Sequence, residues 1–456
     1  MKRLFYLLFL MTALPVCAED VIQVKPIVTT PGLSDEDDNA YIEVHLINET
    51  FDVANLQFDI LFPEGMEYAD YAILEDRIPH KTKKGTTTYD FSFQSEVQSS
   101  GYTRFMFIPG GDLNPISIGS GAIMQLNFKT DASMLPGVYP ILMTNIKLVK
   151  TETESISIPS AVSYVVISED GTTSPLSSEA TIDLSGMTGY MPSFVVDELN
   201  TAIASNTNLK TLNLSGVTGL GGDLSVPEGA FWHTANAAKL NRTFTAGAKS
   251  TICLPFEISS SVASSLGKFY QFDGISDGKV VMRQTTGALS ANTPYIYEPS
   301  SAQAGIGVTD ATISFSENPV TENAEAQYTF KGTYEPITWA SPVGIYGFAK
   351  AGVEGFDPGQ FVRGGSGVSI APYRAYLEYT GEGKLSAART RGIDELPVSL
   401  GIIYIDSYGN TTIIDSAVSV TKKQTGNWYG VDGTGYGDMP TRKGIYINNG
   451  KKVVIN

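Results

Sequence analysis

The chain has 456 residues, with 48 Asp and Glu against 31 Lys and Arg and a formal net charge of −17. A surface this acidic repels nucleic-acid phosphates and anionic lipid, which argues against both as partners. Its two cysteines exclude a disulfide-rich scaffold, so folding rests on buried apolar surface, and the length suffices for about three domains.

Residues 1–18 read as an export signal. Lys2 and Arg3 precede an apolar run from Leu4 to Leu14, and Val16-Cys17-Ala18 ends on a small residue, as signal peptidase requires. The run is shorter than the roughly 20 residues a bilayer span needs, so the mature chain has no expected transmembrane span. Cleavage leaves Cys253 as the single cysteine; the competing reading is lipidation of Cys17, which would tether the chain to a membrane. Either way the expected location is extracellular or on the outer cell surface.

Residues 19–168 read as a β-sandwich. Apolar and polar residues alternate through Tyr41–Ile47, Val53–Phe62, Arg104–Ile108 and Ala122–Lys129, with shorter runs at 139–142 and 145–149 and turn signals between them. His45 takes a polar position in its strand and is expected to face solvent, while Phe105 and Phe107 share a core face. Tyr68, Tyr71, Tyr89 and Tyr102 lie near turns, outside clean alternation, and are the candidate stacking faces for a glycan; sandwich packing is the competing reading of each. Asp35, Asp37 and Asn39 lie in an acid-rich loop and are the candidate calcium ligands. The loop fails the EF-hand pattern, with Ala40 where Gly is needed and Leu46 where Glu is needed, so a solvated loop competes with the ion.

Three segments of this region carry a resemblance. Leu56–Gly65, Gly119–Lys129 and Asn145–Leu148 resemble segments of cohesin domains. The resemblance implies a jelly-roll-like sandwich that binds without catalysing, its partner a glycan or a surface protein.

Residues 169–180 are polar and read as a linker. In 181–222, Thr181-Ile182-Asp183-Leu184-Ser185-Gly186 recurs as Thr211-Leu212-Asn213-Leu214-Ser215-Gly216. Phe194, Val195, Leu199 and Ile203 fall at helical spacing between the copies, giving a βαβ unit. Asn208–Leu214 resembles a leucine-rich-repeat core. Two copies cannot bury their faces alone, so the unit is expected to lean on the domain that follows.

Residues 223–390 return to strands, at 250–256, 268–272, 279–282, 327–332 and 373–379. Leu240–Phe244, Leu254–Phe256 and Ile370–Leu377 are similar to a module of surface proteins from gut and oral Bacteroidales, which implies location only. Cys253 sits in an apolar strand and reads as inert core, against a weaker reading as a nucleophile with His233 as base.

In 391–456, Trp428–Gly433, Lys443–Ile447 and the Asn449-Gly450 hairpin signal precede a final Lys452–Ile455 strand. This resembles the C-terminal sorting segments of type IX secretion, with Gly433, Gly444, Tyr446 and Gly450 as the motif; the resemblance implies secretion machinery as a partner. A plain terminal hairpin is the competing reading.

Three histidines without metal-ligand spacing, no nucleophile elbow and no phosphate loop leave no reaction to assign. The sequence therefore predicts a mainly β, multidomain, non-catalytic exported protein that binds carbohydrate or a partner protein, with a structural adhesin or spacer as the alternative. It needs no cofactor beyond the calcium candidate.

Overall fold

The computed structural model describes residues 20–34, 41–110, 114–151, 154–158, 160–321, 327–338, 344–349, 356, 358–365, 369–381, 396–414, 428–430, 434–436, 440, 442, 444–448 and 451–455. The architecture is mainly β and divides into two units. The first takes residues up to 246 together with 255–258 and 301–315, and the second takes the rest.

The first unit opens with β1 (Asp20–Val24), β2 (Ile27–Thr29), β3 (Tyr41–Asn48), β4 (Asn55–Leu61), β5 (Met66–Ile73), β6 (His80–Lys83) and β7 (Thr86–Tyr89). It continues with β8 (Phe91–Val97), β9 (Thr103–Pro109), β10 (Gly119–Thr130), β11 (Gly137–Thr151), β12 (Glu154–Ile158) and β13 (Ala161–Ile167). One sheet runs β1-β3-β10-β5. The other includes the run β13-β11-β4-β9-β8, with β2 also on β13 and β12 also on β11. Alternation decides which side chains meet between them. Ile42, Val44 and Leu46 of β3 share a core with Leu56, Phe58 and Ile60 of β4 and with Phe105 and Phe107 of β9, all fully buried. Each such side chain contributes about 1.5–3 kcal/mol by leaving water.

β13 does not alternate, because it has no solvent face. All seven of its residues are buried. Ala161, Val165 and Ile167 join the sandwich core, and Ser163 donates to the Val24 carbonyl at 2.7 Å. Val162, Tyr164 and Val166 point the other way, into a second core.

The repeat unit supplies that second core. It comprises β14 (Thr181–Asp183), β15 (Gly189–Met191), α1 (Ser193–Ile203), β16 (Thr211–Leu214), β17 (Val217–Leu220), β18 (Phe231–Thr234) and β19 (Ala237–Leu240). The 30-residue period is a spatial register, since β14 pairs with β16 in parallel, Thr181 opposite Thr211 and Asp183 opposite Asn213. Asn213 donates to Asp183 across the two copies at 2.9 Å, and each side chain accepts from the amide two residues on. β18 adds a third parallel rung, with Thr211 opposite Phe231. Gly189 has a φ of 119°, and a Cβ there would lie 2.8 Å from the Ser160 carbonyl oxygen, so this repeat glycine is set by backbone close to β13.

The unit packs on the sandwich that precedes it, and its sheet also takes in Ile306–Thr309 from the region that follows, Leu240 opposite Ile306. β15 bridges to β13, Ala161 opposite Tyr190, and Val195, Val196, Leu199 and Ile203 of α1 pack with Tyr164. Phe194 departs from the helix-core expectation and instead stacks on His45, ring centroids 5.0 Å apart. His45 accordingly is not solvent-facing: its side chain is 15% exposed and bonds Glu43 at 3.0 Å. Residues 169–180 are not a loose linker either. Leu176 is fully buried in the repeat core, and the Asp170 carboxylate accepts from Ser168, Thr172 and Thr173, contacts that hold its pKa far below the usual carboxylate range.

The second unit holds another pair of sheets. One orders the strands Ser250–Cys253, Pro294–Pro299, Gly267–Ser276, Lys279–Thr285, Ile402–Ile405 and Thr411–Ile414. The other orders Val320–Thr321, Tyr328–Thr333, Arg374–Tyr379, Ile345–Phe348, Phe361–Arg363 and Ser399–Leu400. Phe272, Val280 and Ile402 meet Phe330, Tyr346 and Leu377 in one core. Strands from 399–414 complete both sheets, so the boundary expected at residue 390 falls within this body. Toward the C-terminus, Gly435–Tyr436, Trp428–Gly430, Gly444–Asn448 and Lys451–Ile455 form a small sheet in that order.

If β13 joins two cores, Tyr164→Ala in the full chain removes about 3–5 kcal/mol, and amide exchange reads where. Protection should fall together in α1 and in β11. A loss confined to α1 would mean that the two cores melt independently.

Candidate functional site

The sandwich offers one sheet face that the repeat unit does not cover. Over β13 that face is buried by α1 and its neighbours, with Val138 of β11 at the margin. From there the outward side chains of β11, β4, β9 and β8 line up in cross-strand rows. One row runs Lys147, Gln57, Met106, Gln94, and the next runs Thr144, Asp59, Arg104, Glu96. Leu142, Leu61 and Ile108 border these rows, half-buried. None of these outward side chains is aromatic.

Asp59 is the fixed point of the face. Its carboxylate accepts two parallel bonds from the Arg104 guanidinium, Nε and Nη2 each at 2.8 Å, the strong fork geometry of Arg with carboxylate. Asn145 Nδ2 donates to the same carboxylate at 3.2 Å. Asn145 reaches it because β11 bulges between Thr144 and Lys147, where Asn145 takes a φ of 50°, a conformation asparagine tolerates better than most residues. The Asp59 side chain is 9% exposed and that of Arg104 31%. The hydrogen bond and charge of Asp59, with Glu96 beyond it, raise the arginine pKa above its ordinary value.

The four candidate tyrosines are placed differently. Tyr68 and Tyr71 lie on β5, an edge strand, and pack against the sandwich core, as does Tyr89. Tyr68 meets Phe105 edge-on at 5.4 Å, Tyr89 meets Phe93 edge-on at 5.4 Å, and Tyr68 Oη bonds Ser95 at 3.3 Å. Together they close the open side of the sandwich between β5 and β8. Tyr102 stands apart in the β8–β9 turn, where its carbonyl accepts from the Gln98 amide. The structure thus does not gather the four into one stacking platform. Asp35, Asp37 and Asn39 lie outside the described residues, and among those that are described no three His, Cys, Asp or Glu converge as a metal-holding group.

In the C-terminal sheet, Tyr446 is buried, contacts Tyr436 edge-on at 5.6 Å and donates to the Arg442 carbonyl at 2.9 Å. Gly444 begins its strand. Gly433 and Gly450 lie outside the described residues; Asn448 pairs with Lys451, the register that a two-residue hairpin connection gives.

Cys253 is fully buried, its thiol 3.7 Å from Tyr334 Oη, and burial pushes its pKa up to about 12. His233 stacks on Phe231. Burial lowers its pKa below the usual imidazole value. Among the described residues, no helix is long and apolar enough to cross a membrane.

No family model and no curated protein matches this chain. Solved structures similar to it include cohesin domains. One is a type I cohesin–dockerin complex from Clostridium thermocellum, at 9% identity and TM-score 0.25, covering 33% of this chain and 97% of that one. Another is a non-cellulosomal cohesin from the hyperthermophilic archaeon Archaeoglobus fulgidus, at 14% and 0.23, covering 33% and 92%. A third is the seventh ScaB type I cohesin from Pseudobacteroides cellulosolvens, at 14% and 0.22, covering 31% and 91%.

Two measurements check this geometry. A double-mutant cycle on Asp59→Ala and Arg104→Ala should return a coupling of about 1 kcal/mol, bidentate but partly solvent-screened; zero coupling would mean the pair does not hold in solution. In protein carrying Cys17→Ser, a thiol reagent at pH 8 should label Cys253 only after unfolding, because the thiolate is the reactive form. Fast labelling of the folded chain would contradict its burial.

Proposed function

We propose that the protein is a non-catalytic, exported surface protein that docks a partner protein on the bare sheet face of β11, β4, β9 and β8. The observation that carries this reading is the continuity of that face with one already covered by protein. Over β13 the same sheet takes an apolar helix and strands as its cover, and beyond Val138 the rows around Met106 and Asp59 have no cover among the described residues. Half-buried aliphatic side chains beside polar ones, at full strand width, suit a protein contact with an apolar centre and a polar rim. A glycan would need aromatic stacking faces, and the outward rows offer none. The partner's surface should set apolar side chains against Met106 and Ile108 and a cationic group near Glu96.

Export and surface location rest on the signal-like pattern of residues 1–18 and, for delivery through secretion machinery, on the C-terminal motif. A dockerin fills the partner's role in the Clostridium thermocellum complex named above. The identity of this chain's partner is left to experiment.

The test uses the full chain, immobilised and exposed to extracellular protein extract, beside a glycan array run with and without a calcium chelator. A discrete protein should be retained by the native chain and by Tyr102→Ala. Met106→Glu should lose it about tenfold or more, as a residue central to an interface does, with an unchanged melting temperature. Saturable glycan binding that weakens with Tyr102→Ala and ignores Met106→Glu would replace this reading with carbohydrate recognition. Silence in both assays would make the sandwich a spacer.

A further inference from the structure

The other sheet of the sandwich, β1-β3-β10-β5, has an outer face of its own. Ile42 and Val44 of β3, with Leu126 and Phe128 of β10, are fully buried in the core. Alternation therefore turns Tyr41, Glu43, Gln125 and Asn127 outward. Pairing sets them in two rows: Tyr41 lies opposite Asn127 and Asn127 opposite Asp70, while Glu43 lies opposite Gln125. On the other flank of Glu43 its carbonyl accepts from the Lys25 amide. Phe194 stacks on His45 of the same strand, but no described ring meets Tyr41, which is 37% exposed.

A half-open cavity of about 490 Å³ adjoins these rows. Lys25, Tyr41 and Glu43 line it from this face, and Val28, Thr30 and Thr172 line it from β2 and the turns after β2 and β13. The Lys25 ammonium and the Glu43 carboxylate offset each other across the cavity wall, so a neutral ligand suits it. They stand 3.9 Å apart, beyond direct hydrogen-bond distance, a gap that one hydroxyl fills by accepting from the lysine and donating to the carboxylate. A sugar ring combines such hydroxyls on its rim with a C–H face for an aromatic ring.

We infer that this corner of the sandwich binds a neutral glycan. One sugar lies with its C–H face on Tyr41, its hydroxyl bridges Lys25 and Glu43 in the cavity, and the adjoining sugar meets the Asn127 amide on the way to Asp70. The site is on the opposite sheet from the face proposed for docking and does not rest on that proposal.

Titration calorimetry on the full chain tests it, with linear hexasaccharides of glucose, xylose, mannose and galactose as probes and polygalacturonate as the charged control. At least one neutral probe should bind saturably, and more tightly than the control. Tyr41→Ala should weaken that binding about tenfold or more, because the stacking face is lost, with an unchanged melting temperature. Tyr41→Phe should keep most of it. Asn127→Ala should weaken it several-fold by a second route, and Met106→Glu should leave it as it is, which separates this site from the docking face. No neutral binding up to roughly 10 mM, a range covering weak millimolar ligands, would overturn the inference. So would preference for polygalacturonate, or native affinity in both Tyr41→Ala and Asn127→Ala.

Discussion

β13 lacks a solvent face, and the organisation of the first unit depends on that. Its seven residues divide by parity, Ala161, Val165 and Ile167 to the sandwich and Val162, Tyr164 and Val166 to the repeat core. A strand exposed on one side would carry polar residues at alternate positions. Here those positions are apolar because the repeat unit lies over them. Neither partner is free to leave: two parallel copies with a third rung cannot bury α1 alone, and the sandwich without its cover would expose Val162, Tyr164 and Val166 as an apolar stripe. Sandwich and repeat therefore share β13 as a common wall, and among the described residues the cover of this sheet ends at Val138.

The same logic of coverage separates the tyrosines from the bare sheet face. An edge strand leaves one side of a sandwich unsealed, and large rings are an efficient way to close it. Tyr68 and Tyr71 from β5, with Tyr89 and Phe93 from the other side, do this. Their hydroxyls stay near water while their rings cover Phe105 and Phe107. A side chain that looks free of alternation in sequence is here one that reaches sideways across the gap between sheets. The face of β11, β4, β9 and β8 is built in the opposite manner, from short or flexible outward side chains held in rows, with the Asp59–Arg104 fork and the Asn145 bulge as its fixed geometry.

Alternation made β3, β4, β9 and β10 legible, since each buries one face and wets the other. The 30-residue repeat was legible as well, and its period proved to be a pairing register. What escaped the sequence were elements whose burial does not alternate. β13 reads as a uniform apolar run, and β5 and β8 are edges with irregular exposure. The direction in which the repeat unit packs could not be read from its own residues, because the deciding apolar positions lie in β13. The Asp59–Arg104 pair was equally hidden: its members are 45 residues apart, and only strand pairing brings them opposite one another. Phe194 shows the limit of helical spacing, which places a side chain on a face but not against a partner.

The strand Ser250–Cys253 shows that burial alone does not mark a functional side chain. It presents three polar side chains to the interior of the second unit, and each meets a different fate. Thr251 is matched by the Ala375 amide. Cys253 lies beside Tyr334, whose hydroxyl donates to Asn292 at 2.7 Å, and Gly332 makes room for the thiol, since any Cβ there would collide with Sγ. A close-packed glycine and a high thiol pKa mark Cys253 as packing, not chemistry. The Ser250 hydroxyl has no hydrogen-bond partner and, by strand alternation, lies on the face of its sheet that carries Tyr297 and Phe269. Alternation thus decides which neighbours each buried group meets: Thr251 and Cys253 face the second sheet, where the Ala375 amide and the bare Gly332 backbone receive them.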